Sequence, residues 1–196
     1  MSAAAEESST FESVYTRLLT FPPPLTQPPR PHDPSQTARI ADLSVHPTLE
    51  GALHLLNHDL PSAHFLVRHM QSPPAFEGMF LHGILHRIEG DFDNARAWYG
   101  DVGDSDVFQS AWKKGGLDTA KGFIAEVEAL VKRKEGEREA LARTSIDEIK
   151  AVVEFCREKF GERRMVDASE AFVPNDERIQ KLSEEQTLGG KGHRKF

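Results

Sequence analysis

GALHLLNHDLPSAHFLV at residues 51–67 and GILHRIEGDFDNARAWY at residues 83–99 are two versions of one pattern. A shift of 32 residues brings Gly51 onto Gly83, Leu53 onto Leu85, His54 onto His86, Asp59 onto Asp91, Leu60 onto Phe92 and Ala63 onto Ala95. A self-match at so short a period is what stacked helical hairpins produce. Each copy has an apolar helix, a break, an aspartate suited to capping the next helix, and an alanine small enough to let two helices approach closely. The break is His58–Asp59 in the first copy and Gly90–Asp91 in the second. Pro61 falls in the first turn of its helix, where a missing N–H costs nothing.

Outward from this pair, the pattern predicts an all-α chain. Phe11, Val14, Leu18 and Leu19 have helical spacing, so a short helix is expected near 9–20. FPPPLTQPPRPHDP follows, with seven prolines between Pro22 and Pro34, and is read as an extended spacer or a strap across the domain. Beyond the hairpins, Val107, Phe108, Ala111 and Trp112 suggest a short helix, and residues 118–142 a long charged one. Ser145 with Glu148 has capping-box spacing and predicts a new helix from 145 to about 160, stopped at Gly161. The expected organisation is a flexible N-terminal region 1–45 carrying the proline segment, a helical domain 46–161, and a polar, largely disordered tail 162–196 with a weak helix at 175–186. Two hairpins are fewer than an array needs, so the C-terminal helices must cap them.

Composition narrows the function classes. A formal net charge of −7 argues against nucleic-acid binding, which needs clustered Lys and Arg. No apolar run approaches the length of about 18 residues that spans a membrane. The first 20 residues are acidic and polar and read as no secretory signal. The single cysteine, Cys156, leaves no internal disulfide and no cysteine-based zinc site. Together these point to an intracellular, cytoplasmic protein.

The second copy resembles a tetratricopeptide repeat. Gly83, the Gly90–Asp91 turn, Ala95 and Tyr99 fall where that family's signature has glycine, Gly-Asp, alanine and an aromatic residue; the first copy keeps Gly51, Asp59 and Ala63. His54 and His86 stand where the family has tyrosine, Glu50 and His82 where it has leucine, and the period is 32 against the family's 34. The resemblance implies tetratricopeptide-like helical hairpins over about 60 residues. HGILHRIEGDFDNARAWY is also similar to segments of bacterial and fungal proteins of unassigned function, which carries over no activity.

Six of the nine histidines lie between residues 54 and 86. Glu50, His54 and Asn57 share one face of the first hairpin's first helix; His82, His86 and Glu89 occupy the equivalent face of the second. In stacked hairpins these faces are neighbours and form one polar constellation. Such groups must be paired, hydrated or bound to something, since burial without partners costs roughly 2–7 kcal/mol each. Three readings stay open here: a hydrogen-bonded network joining the helices, an acid–base or small-molecule site, and a divalent-metal site. For the second, His54, His86, Glu50 and Glu89 are the catalytic candidates, with His82, Arg87 and Asn57 as ligand-binding residues. For the third, His54, His82, His86 and Glu50 are the candidate ligands. His64 and His69 are five apart on the next helix and so do not share a face. The chain is accordingly expected to be a helical-repeat interaction or scaffold module with a protein or small-molecule partner, or else a small enzyme or ligand-binding protein with a His/Glu pocket.

Overall fold

The computed structural model describes residues 10–28, 30–174 and residue 177. Among the described residues there are nine α-helices, one short 3-10 turn and no strand. The expected all-α class is therefore what the chain adopts. The weak helix expected at 175–186 lies outside the described residues, apart from residue 177.

Two hairpins form the centre. The first is α3 (Pro47–Leu56) with α4 (Leu60–Val67); the second is α5 (Phe76–Glu89) with α6 (Phe92–Val102). Their turns match in detail. The Asp59 and Asp91 carboxylates each accept a bond of 3.3 Å from the amide three residues on, at Ser62 and Asn94, with φ/ψ of −89/71 and −86/72. His58 and Gly90, one residue before the caps, both lie in the left-handed region, at φ 59 and 88. An N–H caught by a carboxylate satisfies a donor that the first helical turn leaves over.

Gly51 and Gly83 face the partner helix of their own hairpins, with different tolerances. A Cβ at Gly83 would sit 2.8 Å from the Tyr99 ring and 3.0 Å from the Trp98 Cβ. At Gly51 the nearest atoms are Val67 Cγ1 at 3.7 Å and Leu81 Cδ1 at 3.8 Å, which is ordinary contact. Gly83→Ala should destabilise the protein by about 1–3 kcal/mol through overpacking. Gly51→Ala should be neutral or stabilising by up to about 1 kcal/mol, since alanine favours helix. Chemical denaturation of the two variants checks the contrast; equal effects would mean that the α5–α6 approach is looser than described.

The remaining helices close the hairpins. α7 (Asp106–Ala111) and α8 (Gly116–Arg133) follow α6, and α9 (Arg138–Phe160) packs against α3, α5, α7 and α8. Leu49, Leu53, Leu81, Ile84 and Leu85 from the hairpins and Ile149, Val152 and Val153 from α9 are fully buried. Cys156 is buried on the same helix, and burial pushes its thiol well up, as suits an inert packed side chain.

Three expectations need correction here. Ser145 and Glu148 do not start a helix: α9 runs unbroken through both. The break comes earlier, where Lys134 and Gly136 adopt φ of 62 and 112. The N-terminal region is also not a free spacer over residues 10–45. α1 (Phe11–Leu18) and α2 (Pro34–Asp42) are helices, the latter capped by the Asp33 carboxylate. Phe11, Val14, Leu18, Phe21, Leu25 and Ile40 are buried in the common core. The proline segment between them is a strap. His58 Nε2 lies 2.8 Å from the Pro22 carbonyl, and Ser145 Oγ donates to the Pro24 carbonyl at 2.6 Å. Proline segments leave their carbonyls free as acceptors, and here side chains of the domain take them up. Part of the region expected as a tail is likewise held: the Met165 amide donates to Ser44, and that of Val173 to His69.

His46 joins the first hairpin to the end of α9. Its Nδ1 accepts from the Thr48 amide at 3.3 Å, capping α3, and its ring stacks on Phe160 at 3.6 Å. Burial, aided by the Lys159 charge, pushes this imidazole down to about 4. An unfolded chain titrates near about 6.5, so between that pH and about 4 the unfolded state holds the extra proton. The contribution to stability is complete above about pH 6.5 and is lost as pH falls toward 4. His46→Asn keeps a capping acceptor and should flatten the acid limb of a stability–pH curve. An unchanged slope would show that His46 is not the group responsible.

Candidate functional site

The polar residues that the two helix faces were expected to bring together divide into three separate settings. His54 belongs to the first. It is 2% exposed, near the end of α3, with Asp59 Oδ2 3.3 Å from its Nδ1 and Glu50 Oε1 3.7 Å from its Nε2. Asp59 also accepts from the Thr37 hydroxyl at 2.8 Å. His54 thus ties the first hairpin's turn to α2. Asn57 is turned the same way: its amide donates to the Asp33 carbonyl at 3.0 Å and accepts from the Asp33 N–H at 3.1 Å. Asn57, expected to bind a ligand, is committed to anchoring the strap.

Arg87 defines the second setting, and its placement corrects another expectation. Instead of joining the histidines as a ligand-binding residue, it is fully buried and turned toward α9. Its Nη2 donates to Glu148 at 2.9 Å and to Ser145 at 3.1 Å, and its Nε to Tyr99 at 3.4 Å. Glu148 also accepts from the Tyr99 hydroxyl at 2.7 Å and the Trp112 indole at 2.9 Å. Burial, with the Glu148 carboxylate beside it, pushes the Tyr99 phenol well up. This is an interior ion pair with its lone pairs shared among fixed donors, the condition for tolerating buried charge. Through Ser145 it also reaches the strap.

The third setting is the candidate site. His82 and His86, one turn apart on α5, lie parallel with ring centroids 4.7 Å apart. His82 stacks on Trp98 of α6 at 4.8 Å. His64 of α4 completes the group: its Nε2 is 3.3 Å from His82 Nε2, and its ring meets His86 edge-on at 5.8 Å. Among the described residues, these three histidines form the one group able to hold a metal ion, with ligand nitrogens all within 4.8 Å of one another. His82 and His86 are buried, whereas His64 is half-buried and gives the group access to solvent.

Three side chains surround the His86 ring nitrogens. Glu89 Oε2 lies 3.2 Å from its Nδ1, with Asp91 Oδ2 at 4.0 Å. The Asn94 amide lies 3.3 Å from Nε2 and 3.1 Å from Asp91. Carboxylates beside Nδ1 favour the tautomer with the proton there, which leaves the Nε2 lone pair outward. Burial pushes His64 down, with Glu89 opposing and the His86 and Arg68 charges adding to the effect. The shift favours the neutral imidazole, the form that binds metal.

His82 and His86 are thus brought together as the shared face on α5 implies, with Glu89 beside them. His54, Glu50 and Asn57 are not part of the group. His64 was missed because a face argument treats each helix alone. The available signal was its place directly after Ala63, the small residue at the helix contact. A separate cleft of about 350 Å³ lies between Phe76, Glu77, Ser105 and Lys159. Its buried carboxylate, Glu77, is already paired with Lys159 at 2.6 Å, and no candidate histidine lines it. No helix among the described residues is long and apolar enough to cross a membrane. No protein-family model, curated protein or solved structure significantly matches this chain.

Proposed function

We propose that this chain is a helical-hairpin protein that binds a divalent transition-metal ion, zinc by ligand type, at His64, His82 and His86. The convergence of three imidazoles from two hairpins carries this reading. Zinc–nitrogen bonds of about 2.0–2.1 Å at a tetrahedral angle place two ligand nitrogens about 3.3 Å apart. The His64–His82 nitrogens stand at 3.3 Å already. Small movement at His86, with the Asn94 amide giving up its contact to Nε2, completes the set. The Glu89–His86 pair supplies the carboxylate–histidine support that orients metal-bound imidazoles and raises their basicity. Imidazole ligands suit zinc, copper and nickel better than magnesium or calcium. Three protein ligands leave a fourth position open, the pattern of sites where the ion meets a further ligand.

Paired helical hairpins are equally at home in an interaction module, which remains compatible with metal binding. Fold alone does not choose between these roles. The histidine group, by contrast, specifies a chemistry. The test is titration of metal-free protein, purified without an affinity histidine tag, with zinc against a chromophoric chelator. One equivalent should bind tightly. Absence of stoichiometric binding would overturn the proposal and leave the group as a hydrogen-bonded histidine stack.

A further inference from the structure

We propose that the three-histidine centre takes a small oxyanion, a carboxylate or a phosphoryl group, in its open position, with Arg68 as the second anchor. The inference rests on the metal reading above and adds the class of ligand.

Charge is the first support. Three neutral imidazoles leave a bound divalent ion with its full charge, unlike a site closed by thiolates or carboxylates. Glu89 and Asp91 are the near acidic groups, and both lie on the Nδ1 side of His86, away from the nitrogen left for the ion. The open position therefore favours an anion over a neutral ligand.

Arg68 is the second support. It lies four residues after His64 on the same helical path, which puts both residues on one face of that helix. Its guanidinium rests over the Phe65 ring at 4.7 Å, and its Nε is 3.4 Å from His69 Nε2. Among the described residues Arg68 enters no ion pair, whereas Arg87, Arg96, Arg133 and Arg157 each do. A guanidinium stacked on an aromatic face, one helical turn from a ligand of the proposed cationic centre and without a carboxylate, is suited to bind an oxyanion by its fork of N–H donors. Phe65, 55% exposed, holds the stem and gives the organic part of a ligand an apolar surface.

The test uses full-length, tag-free protein loaded with one equivalent of cobalt, whose visible bands report its coordination shell. Acetate and inorganic phosphate are titrated separately at constant ionic strength. The expected result is a saturable change of the bands with at least one of the two. Acetate alone would assign a carboxylate and phosphate alone a phosphoryl group. Arg68→Met should leave cobalt affinity unchanged and weaken anion binding about tenfold or more, with partial recovery in Arg68→Lys. Bands that appear with cobalt but ignore both anions would overturn this proposal while sparing the metal site. Equal anion affinity in wild type and Arg68→Met would overturn the role of Arg68. Absence of cobalt bands in wild type would overturn the metal reading, and this inference with it.

Discussion

Glu148→Ala is expected to destabilise the protein by about 3–5 kcal/mol, because it leaves the fully buried Arg87 without its counter-charge. Three groups lose their acceptor at once: the Arg87 guanidinium, the Tyr99 hydroxyl and the Trp112 indole. For a chain of this size that is a fall of roughly 6–20 °C in thermal midpoint. Arg87→Met/Glu148→Leu removes both charges and should recover part of the loss. It should not recover all, since Tyr99 and Trp112 remain buried donors without an acceptor, at about 1–3 kcal/mol each. A midpoint unchanged in Glu148→Ala would mean that water reaches Arg87 and that the network is not the lock between strap, hairpin and α9.

Metal affinity should separate the histidines as sharply. His82→Ala and His86→Ala each remove a ligand and should weaken zinc binding by roughly 100-fold or more, beyond the 10–100-fold typical of losing a supporting residue. Glu89→Gln, which keeps the shape but not the charge beside His86 Nδ1, should fall within about 10–100-fold. His54→Ala should leave zinc affinity intact, because that ring is tied to Glu50 and Asp59 away from the group. Its cost should be to stability, about 1–3 kcal/mol, since Asp59 loses a buried partner. Competition titration with a chelator reads the affinities, and thermal unfolding reads the stability. Equal zinc affinities for His54→Ala and His82→Ala would place the ion elsewhere.

The hairpins were legible because their signals are local. A carboxylate that caps a helix three residues on, a left-handed position before it, and a small residue at the helix contact recur with one period, and each acts within a few residues of itself. The choice between spacer and strap was not legible, because proline density says that a segment is extended and nothing about what it lies on. Phe21 and Leu25, the two large apolar residues within it, are what bury it. Ser145 and Glu148 show how one spacing serves two ends. Three residues apart, they match a helix start, and on a continuous helix the same spacing turns both side chains inward to meet Arg87. Gly136, with its positive φ, was the better marker of the break.

The site was half legible for the same reason. Spacing of i and i+4 puts His82 and His86 on one face whatever else happens, and Glu89 follows at i+3 from His86. Which residue meets them from outside α5 depends on how α4 lies against it, and periodicity within a helix is silent on that. Equivalence under the 32-residue shift pointed to His54. The structure brings His64 instead, since consecutive helices, more than equivalent ones, supply neighbours at the hairpin junction.

Zinc K-edge X-ray absorption of the stoichiometric complex of full-length, tag-free protein tests the central claim most directly. A shell of three imidazole nitrogens at about 2.0–2.1 Å with one further light ligand is expected, reduced by one imidazole in His82→Ala and unchanged in His54→Ala. A shell made mainly of oxygen, or one that loses an imidazole in His54→Ala, would contradict the assignment of His64, His82 and His86 as the metal site.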